Sequence, residues 1–187
     1  MKKIISGLAV AAVCFSSATY ATTTTQDVPA TLNISGTVSA NKTDQCQILL
    51  NQEMINLTAS ANNLIEQGQN GTSTEEMTFS VSSTSQISEC DKQLYDGKIA
   101  VKFVGTYDDA DGTAFANTAV GENAATGVGI GLFNHDKTPL NASEIYNLSP
   151  GSNTATKIIG LQLIKLKGET VKTGAVAGNI TFQVERL

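Results

Sequence analysis

Tryptophan is absent from this sequence, and histidine and arginine occur once each, at His135 and Arg186. A nucleic-acid surface needs clustered Lys and Arg with aromatics between them; here the lysines are scattered, so no nucleic-acid partner is expected. With no Trp and four Tyr, the chain is also poorly supplied with rings on which sugars stack. A single His removes histidine-cluster metal sites and leaves at most one general base. Three prolines among 187 residues form no linker, and no internal repeat divides the chain, so one domain is expected.

The first residues supply what is otherwise scarce, an apolar run. Lys2 and Lys3 precede an apolar stretch from Ile4 to Phe15, and Ala18 to Ala21 ends it with small residues. That is the pattern of a secretory signal over residues 1–21, cut after Ala21. The stretch is shorter than the roughly 20 apolar residues a bilayer demands, and no later segment comes close, so no transmembrane segment is expected. Subtracting 21 from 187 leaves 166 residues, and without Lys2 and Lys3 ten basic side chains face seventeen acidic ones, a net charge of −7.

Of three cysteines, Cys14 goes with the signal, leaving Cys46 and Cys90 in a compartment that oxidises thiols. A disulfide between them is the simplest reading; two separate buried thiols are the alternative.

Short runs of period 2 recur along the remainder. Ile48, Leu50, Ile55 and Leu57 form the first group, then Met77, Phe79 and Val81, then Ile99, Val101 and Phe103. Later come Val128, Ile130 and Leu132, then Ile159, Leu161 and Leu163, and lastly Ile180, Phe182 and Val184. Turn-rich stretches at 67–74, 108–112 and 149–154 separate them, and helical spacing appears weakly at 58–67 only. Many short strands in a Thr- and Ser-rich chain predict an all-β fold, a β-sandwich.

Chemistry-bearing motifs are incomplete. Gly127, Gly129 and Gly131 lack the third glycine and following helix of a dinucleotide fingerprint, because position 132 is Leu inside a strand-like run. Asp108, Asp109, Asp111 and Gly112 resemble part of a calcium loop, but Tyr107 stands where its first ligand belongs and Thr118 where its bidentate Glu belongs. No nucleophile elbow or zinc-protease helix occurs, and the Ser-rich tract at 80–88 carries a strand pattern. Asn33, Asn41, Asn56, Asn70, Asn141, Asn147 and Asn179 fit the glycosylation pattern, as chance allows in such a composition. No catalysis, cofactor or metal is expected.

The segment after the signal is the most informative. Val28, Ala30, Leu32, Ile34, Gly36 and Val38 alternate with Pro29, Thr31, Asn33, Ser35 and Thr37, which places one set on each face of an extended strand. It serves either as the first strand of its own domain or as a strand for another.

Several stretches together resemble a known family: Thr31 to Val38 before the first cysteine, the separation of Cys46 and Cys90, Val101 to Thr106, Val128 to Asn134, and the closing Gly178 to Leu187. In this order, behind a signal, they are similar to the pilins, fimbrial subunits of the chaperone-usher pathway of the type 1 major and minor subunit kind. The resemblance implies an incomplete immunoglobulin-like β-sandwich, its final strand missing, and division into signal 1–21, donor-strand extension 22–38 and pilin domain 39–187. It implies a groove lined by Ile180, Phe182 and Val184, with the Leu187 carboxylate held by a periplasmic chaperone, and Gly36 at a shallow pocket. Further implied partners are an outer-membrane usher and neighbouring subunits, and the implied location is the cell-surface fimbrium after passage through the periplasm. One departure is Arg186, next to last, where many members of that family carry an aromatic. A self-sufficient secreted sandwich that binds a carbohydrate or protein ligand is the competing expectation.

Overall fold

The computed structural model describes residues 30–34, 45–85 and 88–187. The order of elements is β1 (Ala30–Ile34), β2 (Cys46–Leu50), β3 (Met54–Leu57), β4 (Ile65–Glu66), β5 (Glu75–Ser83), α1 (Glu89–Tyr95), β6 (Ile99–Val104), β7 (Phe115–Ala116), β8 (Val128–Asn134), β9 (Pro139–Leu140), β10 (Ile145–Asn147), β11 (Ala155–Lys165) and β12 (Val176–Arg186). Each alternating group from Ile48 to Val184 lies in strands, and most of its apolar side chains are in the core, with Ile48, Leu50 and Val184 packed against it. Met77, Phe79 and Val81 of β5, Ile99, Val101 and Phe103 of β6, and Ile159 and Leu161 of β11 are all buried.

Two sheets enclose that core. One runs β10-β6-β12-β1-β3, and the other β2-β5-β11-β8-β7, with β4 added to β11 and β9 to β8. The fold is a β-sandwich, as expected. Aromatic rings join the two layers: Phe79 meets Phe182 with centroids 5.4 Å apart, and Phe182 meets Phe103 edge-on at 5.1 Å. Such edge-to-face pairs add about 0.5–1.5 kcal/mol each beyond the area they bury.

The disulfide between Cys46 and Cys90, 44 residues apart, ties edge strand β2 to the first turn of α1. The helix itself has no counterpart in the periodicity, because its seven residues make fewer than two full turns of pattern. Its signal is a cap. The Ser88 side chain accepts from the Asp91 N–H and the Asp91 carboxylate accepts from the Ser88 N–H, a reciprocal pair that satisfies two otherwise orphaned donors. The weak helical spacing at 58–67 resolves into one 3₁₀ turn, Ala61–Asn63, followed by β4.

A second apolar cluster, Ala114, Phe133 and Ile164 with partly buried Ile65, lies apart from the main core. The loop after β4 is fastened by buried Gln162, whose Oε1 accepts from the Thr72 and Ser73 N–H groups at 2.9 and 3.0 Å. Its Nε2 donates to Thr72 Oγ1 at 3.0 Å, so both polar atoms of this buried side chain have partners.

Candidate functional site

β12 is eleven residues long, and its two halves have different neighbours. Thr181 to Arg186 pair antiparallel with β6, while Val176 to Ile180 pair parallel with β1. On its far side β1 pairs antiparallel with β3, Ala30 opposite Leu57 and Leu32 opposite Ile55. A five-residue segment near the N-terminus therefore sits inside a sheet, between β12 and β3, hydrogen-bonded on both edges. Taken out, it would leave two strand edges open above the buried Ile55, Leu57, Val176 and Ile180.

The residues expected to line a groove occupy this strand. Ile180 and Phe182 are buried in the main core and Val184 packs against it. Leu187 is 58% exposed, and its N–H donates to the Lys98 carbonyl at 2.9 Å. The preceding Arg186 Nη1 donates to Gln93 Oε1 of α1, so the residue that departs from the family pattern is tied to the helix. Of the alternating N-terminal set, Ala30, Leu32 and Ile34 fall in β1, whereas Val28, Gly36 and Val38 lie outside the described residues, as does the expected signal.

Where β12 begins, the sandwich has an open cavity of about 400 Å³ with a mainly apolar lining, including Leu64, Val128, Leu163, Val171 and Val176. Sequence reasoning did not find it, because its lining comes from four separate stretches of chain brought together by the sheet order.

Other candidates serve the fold. Asp108 is buried and accepts from the N–H groups of Ala110, Asp111 and Ala114 at 2.9–3.0 Å and from the Gln67 amide at 3.1 Å. Burial pushes its carboxyl up, but these hydrogen bonds together outweigh that and hold it below the usual carboxylate range. The acidic turn is thus an anchored loop, with the Asp108 carboxylate holding three backbone N–H groups and the Gln67 side chain. Among the described residues no group of three His, Cys, Asp or Glu could hold a metal.

A folded-state value below the unfolded one means that Asp108 stabilises the protein at neutral pH, and that this contribution disappears as pH falls through the depressed value. Asp108→Asn is expected to cost about 1–3 kcal/mol at pH 7, since an amide NH₂ would face N–H donors, and to flatten the acid limb of stability. Urea titrations at pH 7 and pH 3 check this; equal losses at both would refute it.

His135 Nδ1 lies 3.0 Å from Glu76 Oε1 with both side chains well exposed, an ordinary surface pair. Gly129 and Gly131 are buried in β8, where an added Cβ would come within 2.8 Å of the Phe115 carbonyl oxygen and within 3.0 Å of Ile164 Cγ2, respectively. Close packing of neighbouring strands and side chains accounts for both.

No helix among the described residues is long and apolar enough to cross a membrane. No curated protein sequence matches the chain. Among solved structures, the P pilus rod subunit PapA is 17% identical over 82% of this chain and 100% of its own, with a TM-score of 0.42. A Burkholderia pseudomallei antigen and type I fimbria protein is 21% identical over 85% of this chain and 92% of its own, at 0.38. The CupB6 tip adhesin from Pseudomonas aeruginosa is 16% identical over 60% of this chain, at 0.40, and the chain spans only 34% of that adhesin's length. A family model described as fimbrial protein matches residues 32–185, from inside β1 to the end region of β12, and the chain belongs to that family.

Proposed function

We propose that this chain is a non-catalytic structural subunit of a chaperone-usher fimbria, polymerised by donor-strand exchange, with residues 22–38 of one copy entering the slot of the next. The observation that carries the reading is the place of β1. A strand from an N-terminal segment lies mid-sheet between β12 and β3, and its seat can be filled by any segment that offers the same alternation.

Backbone hydrogen bonds give such an exchange its generic affinity, and alternate side chains set its register. Burying Val28, Leu32, Ile34 and Val38 contributes roughly 1.5–3 kcal/mol each, about 6–12 kcal/mol before ordering costs. A slip by one residue would turn Thr31, Asn33, Ser35 and Thr37 inward, so the pairing is fixed as well as strong. Before assembly a periplasmic chaperone lends the strand, its basic cleft holding the Leu187 carboxylate, and at the outer-membrane usher a neighbour's segment replaces it. The finished fibre stands on the cell surface and contributes to adhesion.

The test is Ile34→Asp in the subunit's only gene copy. A carboxylate at that position removes one apolar anchor and brings a charge that the slot cannot hydrate. Chaperone-bound subunit is expected at normal yield, with fibres on the cell reduced tenfold or more by electron microscopy. Normal fibres would overturn the reading and favour a self-sufficient sandwich, which β1's position in its own chain's sheet also allows.

A further inference from the structure

We infer that the Asn117 side chain restricts strand addition on β12 to the β1 side, by standing in for a strand on the opposite edge. The inference rests on the proposed exchange for what arrives, whereas the closure of the far edge is read from bonds within this chain.

A strand turns the N–H and C=O groups of successive residues to opposite edges, so only half of the backbone from Val176 to Ile180 faces β1. On the far edge β6 covers Thr181 to Arg186 and goes no further. An uncovered edge there would accept a strand as readily as the β1 side does. The chain that follows β7 occupies it instead. The Ala177 carbonyl accepts from the Thr118 N–H at 2.8 Å and from the Thr118 hydroxyl at 3.0 Å. Ala175 donates its N–H to the Asn123 carbonyl at 2.7 Å, and its own carbonyl accepts from the Ala125 N–H at 2.9 Å.

The Ala177 N–H is served by a side chain: it donates to Asn117 Oδ1 at 2.9 Å. The same oxygen accepts from the Ala119 N–H at 2.9 Å. Asn117 Nδ2 donates to the Ala125 carbonyl at 2.9 Å and to the Ala175 carbonyl at 3.0 Å. Two acceptor sites and two donors are the whole capacity of a carboxamide, and all four are engaged. With both lone pairs of the Ala175 and Ala177 carbonyls also taken, this stretch of edge has nothing left to offer an incoming strand. An aspartate here would lack both donors, and an alanine would lack every one of the four bonds. Each subunit therefore presents one strip for a neighbour's segment, and a fibre built this way extends without branching.

The experiment uses the mature chain, residues 22–187, with Ala177→Cys as a reporter, alone or combined with Asn117→Ala, in a glutathione redox buffer. Two copies that pair antiparallel through a bared edge bring position 177 level with its counterpart, about 5.5 Å apart at Cα and within disulfide reach. Asn117→Ala is expected to raise the dimer linked through position 177 about tenfold or more over the reporter alone, read by non-reducing gels and peptide mapping. Asp108→Asn, which also lowers stability, is expected to leave the dimer at the reporter's level, which separates an opened edge from general loosening. Equal dimer with and without Asn117, or an equal rise from Asp108→Asn, would overturn the inference. Hydrogen exchange of the unaltered mature chain needs no variant: the Ala177 amide is expected to be protected to within about tenfold of the β12 amides paired with β6, and faster exchange would overturn it as well. The Ile34→Asp fibre assay reports on the exchange itself, so failure of one reading is told apart from failure of the other.

Discussion

Residues 39–187 alone are expected to be largely unfolded or aggregated at 25 °C, and the same chain with residues 28–38 joined after Leu187 by a short turn is expected to fold as a stable monomer. Without the N-terminal segment, β12 loses its pairing over Val176 to Ile180 and β3 loses its pairing over Met54 to Leu57. The apolar side chains beneath, Ile55, Leu57, Val176 and Ile180, then meet water along two open strand edges. The lost anchors sum to about 6–12 kcal/mol gross, against a total stability of about 5–15 kcal/mol for a domain of ordinary size. That decides the outcome: the deficit is as large as the whole. A segment returning from Leu187 through a turn must run antiparallel to β12, opposite to β1, so the joined chain also asks whether the slot accepts an alternating strand in either direction. Urea unfolding by circular dichroism reads both chains. Equal midpoints for the truncated and extended forms would remove the mechanism from the proposed function.

Replacing both Cys46 and Cys90 with Ala is expected to cost about 4 kcal/mol, because the bond closes a loop of about 45 residues whose freedom the unfolded chain otherwise regains. For a protein of this size that corresponds to a melting temperature lower by about 8–16 °C. The bond matters more than its loop length suggests. Among the described residues β2 pairs with β5 alone, and Leu49 on it is 51% exposed, so apart from Ile48 and Leu50 packing on the core the bond is what ties that edge to α1. Calorimetry of the double variant beside the oxidised parent checks this; transitions within 2 °C of each other would show that β2 is held by packing alone.

Much of the architecture was legible in the residues because a half-buried strand advertises itself by alternation. Every such group, from Ile48 and Leu50 of β2 to Ile180 and Phe182 of β12, lies in a strand. The elements that escaped notice were short. β4, β7 and β9 have two residues each and β10 has three, too few for a period to show. α1 escaped for another reason: only Cys90 and Leu94 are buried along it, and its clearest mark is the Ser88 and Asp91 cap, a local signal that periodicity does not weigh. In the acidic turn at Asp108, nothing local announced that Gln67, 41 residues earlier, would reach into it.

By itself the sequence determined the all-β class and the apolar face of each principal strand, because these depend on spacing along one chain, whereas the bond between Cys46 and Cys90, the simplest of two readings of the sequence, is shown by the structure. The partners of the strands were decided only by the tertiary structure. Alternation says which side of a strand meets the core but is silent on which edge meets which neighbour, so the seat of β1 between β12 and β3, its parallel run and the cavity at its end follow from how the two sheets close around a shared core.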